Sequence, residues 1–133
     1  DEIMEAIKKE AEELLKEGPE KWTEKTIQIK RYFLTDTLDD FIGSSNRAEG
    51  IFIANTLAEL TSEFVLRNNR RWIGTSKWIV RSLKAFDEDF ANQFVEAFDT
   101  YYTTGDKSRV ICLVEAAMEP HGGRLREGFS SGK

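Results

Sequence analysis

The chain has little of what builds crosslinks and tight corners. Its 133 residues include one cysteine, one histidine and two prolines. A single thiol, Cys112, excludes an internal disulfide framework and fits a reducing, cytoplasmic setting. Its neighbours Ile111 and Leu113 are apolar, so Cys112 reads as a small buried residue rather than a nucleophile. A lone histidine, His121, without a cysteine pair cannot assemble a zinc site. β-branched residues seldom alternate with polar ones, which argues against strands. No apolar run reaches the roughly 18 residues that a membrane-spanning helix needs, and no signal peptide opens the chain. The net charge of −5 argues against generic adhesion to nucleic acid or to anionic membrane.

What is present is a 40% hydrophobic composition with 15 aromatics, enough to bury a core. The apolar residues recur at helical spacing. Ile3, Ile7, Leu14 and Leu15 share a face of a first helix, about 2–16, which Asp1 caps and Gly18-Pro19 stops. A second helix, about 20–42, carries Ile27, Leu34, Leu38 and Phe41, widened by Trp22, Ile29 and Phe33. Thr35 and Asp36 offer a break within it, and Asp36, Asp39 and Asp40 read as a capping and turn cluster. Gly43 to Asn46 form a turn. A third helix, about 48–68, places Ile53, Leu57, Leu60 and Phe64 in one stripe. A fourth, about 76–86, turns Ile79, Leu83 and Phe86 inward. Asp87 caps a fifth with the stripe Phe90, Phe94, Phe98 and Tyr101. Asp106 caps a sixth, about 107–119, with Val110, Leu113, Val114 and Ala117 inward. The tail from Gly123 reads as irregular. Long helices with short joints predict one all-α domain over 1–133, an up-and-down antiparallel bundle of five to six helices.

The stretch "NNRRWIGTSKW", Asn68 to Trp78, breaks this regular pattern. Between Phe64 and Phe86 there is no acidic residue, while Arg67, Arg70, Arg71, Lys77, Arg81 and Lys84 supply +6. The rest of the chain therefore carries −11. Such segregation marks a place where an anionic group can be held. The Gly74-Thr75-Ser76 turn leads into a helix start, whose free N–H groups favour anions. Two other accounts fit the same charges: they complement the dipole of the third helix, or they pair with acids elsewhere. Trp72 and Trp78 flank the turn, as a plug for the bundle end or as an aromatic wall for a ligand. Lys77 and Arg81 are four apart on one helix face, where like charges repel unless an anion joins them.

Glu59 and Glu63 belong to a polar stripe with Thr56 and Arg67. The stripe is a solvated face, or one glutamate faces a cleft as a general base or as a contact for a cationic ligand. "TGDKS" at Thr104–Ser108 lacks the preceding strand and the Gly-Lys pair of a phosphate loop.

The segments "NRRWIGTSKWIVRSL", "FDEDFANQFVEAF" and "EPHGGRLREGF" resemble the helical carboxy-terminal half of bacterial nucleotidyltransferases of the antibiotic-modifying type. The resemblance spans about 48–129. In that family an amino-terminal α/β domain, with a Gly-Ser motif and paired aspartates, binds nucleotide and metal. The helical half shapes the acceptor cleft and often helps dimerise. Here "IGSSNRAEG" has a Gly-Ser but no Asp-x-Asp, and the chain opens directly in helical pattern. The resemblance therefore implies a carboxy-terminal fragment that binds substrate without catalysing. It implies no cofactor in this chain, with nucleoside triphosphate and Mg bound only alongside the missing domain. It makes Asn69, Arg70, Lys77, Trp78 and Arg81 the cleft lining, with Lys77 and Arg81 on phosphate and Glu59 or Glu63 at the small-molecule acceptor. A homodimer is a further implied partner. A related helical ribonuclease family sets an arginine a few residues before a histidine; here Arg109 is the nearest upstream of His121, too distant for that pattern. The competing reading is a helical interaction module whose basic end binds an acidic partner. A regulatory small-molecule binder is the third.

Overall fold

The computed structural model describes residues 1–126. Among these, six α-helices and one short 3₁₀ turn account for the regular structure, and there are no strands. The helices are α1 (Glu2–Glu17), α2 (Glu24–Gly43), α3 (Arg47–Asn68), α4 (Lys77–Phe86), α5 (Glu88–Thr104) and α6 (Ser108–Met118), with the 3₁₀ turn at Glu119–His121. The all-α expectation holds. No helix is long and apolar enough to cross a membrane among the described residues.

Helix ends follow local chemistry. Asp1 accepts from the Ile3 N–H at 3.0 Å, Thr23 from Thr26, Asn46 from Glu49 and Asp87 from Phe90. Each satisfies a donor that the first turn leaves without a partner. At α6 the helix starts one residue later than expected, at Ser108. Asp106 takes both the Ser108 N–H and hydroxyl, at 2.9 and 2.8 Å, and these hydrogen bonds hold its carboxyl below the usual range.

The central element is α3, which packs against α2, α4, α5 and α6. Its buried residues include Gly50, Ala54, Leu57, Thr61, Phe64 and Leu66. Of the expected stripe, Leu57 and Phe64 are buried, while Ile53 and Leu60 are half-buried. A helix touched on several sides has no single apolar stripe to read. The inward residues of α5 and α6 come out as the spacing predicts: Phe94, Phe98 and Tyr101 are buried, as are Val110, Leu113 and Val114. Phe90 and Ala117 sit at the margin.

Several expectations are corrected. Helix α2 begins at Glu24, because residues 19–23 form a strap: Pro19 is buried, and Trp22 packs its ring 6.3 Å from Phe64 rather than extending the helix stripe. Phe33 is exposed. There is no break near Thr35, which is fully buried and donates to Met118 Sδ while accepting from the Leu125 N–H. Asp39 is not a turn residue. Its carboxylate receives Arg126 Nε and a second Arg126 nitrogen, each at 2.6 Å, and Arg124 at 3.4 Å. This fork clamps the segment after the 3₁₀ turn onto α2. The remaining tail, residues 127–133, lies outside the described residues. Cys112 is exposed. Two residues along a helix is a 200° rotation, so the positions flanked by buried Val110 and Val114 place Cys112 on the opposite side.

The largest departure is α1. Its apolar face is fully formed in sequence yet covered by nothing among the described residues, with Ile3 70% and Leu15 69% exposed. It has no extensive contact with another helix; the bundle proper is α2 to α6. Only its carboxy-terminal end is tied down. Gly18 adopts φ 79°, and a Cβ there would overlap the Arg70 carbonyl. The site therefore requires glycine twice over, for the backbone angle and for the close approach.

Leu38 is fully buried, whereas Ile7 lies on the uncovered face of α1. Leu38→Ala is expected to cost about 2–5 kcal/mol in denaturant unfolding, and Ile7→Ser less than about 0.5 kcal/mol. Hydrogen bonds from Arg126 hold the Asp39 carboxyl below its usual range. A depressed carboxylate stabilises the fold above its unfolded-state pKa and loses that contribution as pH falls through its folded value. Asp39→Asn should therefore lower the melting temperature at neutral pH, and the gap to wild type should close under acid conditions in a pH series of thermal melts.

Candidate functional site

The joint between α3 and α4 is built by hydrogen bonds to its own surroundings. Asn69 ends α3, and its Nδ2 donates to the Val65 carbonyl at 2.7 Å. Arg70 adopts φ 55° and donates through Nε to the Pro19 carbonyl at 3.1 Å. Trp72 Nε1 donates to the Leu14 carbonyl at 3.3 Å. The joint thus holds both the end of α1 and the strap, which is where its charge and aromatics are partly spent.

Not one of the six cations of this region pairs with a carboxylate among the described residues. Arg67 lies over the Trp22 ring at 5.2 Å, Arg71 over Phe86 at 5.6 Å and Arg81 over Trp78 at 4.6 Å. A guanidinium stacks on an aromatic face without losing its charge. Lys77 and Lys84 have neither a hydrogen bond nor an ion pair among the described residues. Of the two alternative accounts of the basic window, ion pairing with acids among the described residues is thereby removed. Trp78 itself is 52% exposed, so it is not a plug buried in the bundle end.

A cavity of about 210 Å³ lies between α3 and the joint. Glu59, Ser62 and Glu63 face Gly74, Thr75 and Ser76 across it. Glu63 is ion-paired with Lys30 at 2.8 Å. The Ser62 hydroxyl donates to the Glu59 backbone carbonyl at 2.9 Å. The Glu59 carboxylate has no partner among the described residues. The start of α4 is less open to anions than its sequence suggests, because the Trp78 and Ile79 N–H groups already donate to the Thr75 and Ser76 carbonyls. Ser76 precedes the helix at φ 55° and makes no side-chain cap.

The seven residues singled out from the sequence divide among several places. Glu59 and Glu63 share the cavity, and Lys77 directly follows its lining residue Ser76. Trp78 and Arg81 stack on each other on the exposed side of α4. Arg70 serves the strap. Asn69 lines a second cavity of about 460 Å³, together with Asn68 and His121. Sequence reasoning passed over Asn68 and Lys30. No local signal marks Lys30, whose role depends on α2 lying beside α3. No group of three histidine, cysteine, aspartate or glutamate side chains among the described residues is placed to hold a metal.

No protein-family profile matches the chain, and neither a curated protein nor a solved structure is significantly similar to it.

Gly74 fixes the shape of the cavity turn, since an added Cβ would lie 2.5 Å from Trp78 Cβ and 2.7 Å from its carbonyl oxygen. Gly74→Ala is expected to lower the melting temperature by several degrees. Gly43→Ala, where an added Cβ meets nothing within 4 Å, should leave it unchanged or slightly raised.

Proposed function

We propose that this chain is the substrate-binding helical half of a nucleotidyltransferase, and that it binds without catalysing. The reading rests on the resemblance of the Asn69–Leu83 stretch and its flanking segments to that family. The observation that carries it is unpaired charge on both sides of one turn. Among the described residues Lys77 has no partner beside Ser76, and Glu59 has none in the cavity that Ser76 lines. Charges left unpaired at a concave site are candidates for ligand contact. In this reading Lys77 and Arg81 meet the triphosphate of a nucleotide held with Mg by an amino-terminal domain. Glu59 meets an amino or hydroxyl group of the acceptor. Glu63 is fixed by Lys30 and shapes the cavity wall. Trp78 supports Arg81 by stacking. Homodimerisation belongs to the same proposal.

A second reading has its own support. Trp72, Ile73 and Trp78 are exposed beside cations that carry no ion pair among the described residues, a composition that suits an acidic protein partner. The two readings separate on small-molecule binding.

In the full-length protein, Lys77→Ala with Arg81→Ala should weaken nucleoside triphosphate binding about 10- to 100-fold, by calorimetry at fixed salt, with thermal unfolding unchanged. Glu59→Gln should weaken acceptor binding and leave triphosphate binding alone. Unaltered triphosphate affinity in the double variant would remove the phosphate role. Upstream coding sequence without a Gly-Ser and Asp-x-Asp pattern would remove the family reading.

A further inference from the structure

We infer that the second cavity, on the far side of α3, is a binding site for a flat ring whose edge carries an adjacent hydrogen-bond donor and acceptor. Aminopurines and aromatic carboxamides share this chemistry. The cavity shares no lining residue with the one that holds Glu59. Asn68 follows Glu59 by nine residues, half a turn out of phase on a helix of 3.6 residues per turn. The inference is therefore independent of the proposed acceptor site.

Its walls suit a ring. Phe64 and Phe90 come from α3 and α5, and Pro120 and His121 from the 3₁₀ turn. His121 is already set edge-on against Phe64, with ring centres 5.3 Å apart and planes at 86°. Aromatic side chains held in this way offer faces and edges to a further ring. The volume, about 460 Å³, is in the range of small-ligand sites.

Its polar groups suit the paired edge. Asn68 Nδ2 is shut off from solvent and has no hydrogen-bond partner among the described residues. Native proteins leave few buried donors in that state. A carboxamide offers both N–H donors and a carbonyl acceptor, and the terminal torsion of asparagine is broad. A turn about that torsion presents donor and acceptor side by side to a ligand. Asn69, the next residue, spends an N–H on the Val65 carbonyl, which leaves its Oδ1 to accept a further bond. Two asparagines with open capacity in the lining of an aromatic-walled cavity distinguish it from an apolar gap, which would take any ring.

The test is a titration of the isotopically labelled chain, followed by NMR, with adenine, benzamide and indole. Indole is a flat ring with a donor but no adjacent acceptor. Adenine, benzamide or both should shift the Asn68 side-chain amide and the His121 ring resonances, and should bind more tightly than indole by about tenfold or more. Adenine alone assigns the site to purines, and benzamide alone to aromatic carboxamides. Asn68→Ala should weaken the effective ligand about tenfold, with folding checked by thermal melts. Indole binding as tightly as the other two, or no shift at these resonances with any of the three, overturns the inference. So does unchanged affinity in Asn68→Ala. Should that variant fail to fold, the comparison of the three ligands on the unaltered chain decides the matter.

Discussion

The arrangement depends on the burial of α3 among four other helices. Leu57, Phe64 and Leu66 are almost wholly removed from water, and Ala54 lets a neighbour approach closely. Each buried aliphatic or aromatic side chain contributes about 1.5–3 kcal/mol relative to exposure. The cost of centrality is that polar residues are carried inward too. Thr61 is fully buried and its hydroxyl has no partner among the described residues, and Ser62 turns its hydroxyl back onto the Glu59 carbonyl. Two gaps open where neighbouring elements diverge from α3. Those gaps are the two cavities, one beside the α4 joint and one beside the 3₁₀ turn.

Two clamps hold chain segments at the edge of the bundle. Arg126 and Arg124 grip Asp39 on α2, which brings the segment after α6 across the bundle. Arg70 and Trp72 grip backbone carbonyls at the end of α1 and in the strap. Both clamps use long planar side chains that can reach a carbonyl or carboxylate and still shed their apolar stems on the protein surface. The α1 helix beyond its clamp keeps Ile3, Met4, Ile7, Leu14 and Leu15 in water. It is a helix by capping and composition, with no buried residue and no tertiary packing from the described residues to add to that.

The basic window shows how a charge pattern can be clear in sequence and still ambiguous in meaning. The absence of acids from Phe64 to Phe86 needed no structure to be seen. Whether the cations were neutralised did, because carboxylates on any other helix could have reached them. They are not neutralised: arginines rest on Trp22, Phe86 and Trp78, and Lys77 and Lys84 stand free of ion pairs among the described residues. The candidate site was legible in part for the same reason. Glu59 and Glu63 were marked by spacing on one helix, but that Glu63 is paired and Glu59 is not, among the described residues, follows from Lys30 on a different helix. Asn68 stood in the stretch first singled out, yet nothing local set it apart from Asn69.

Local chemistry determined the helices. The caps at Asp1, Asn46 and Asp87, the stop at Gly18, and the stripes of α5 and α6 act over one to four residues, so the sequence alone carries them. Tertiary structure decided everything that depends on what lies across from a helix. It left the stripe of α1 exposed, buried Thr35 in the middle of α2, turned Cys112 outward, and put Asn69 and Glu59 beside different cavities. Helical periodicity states that residues share a face. Which face is covered, and by what, depends on contacts between residues far apart in the chain, and these have no period to read.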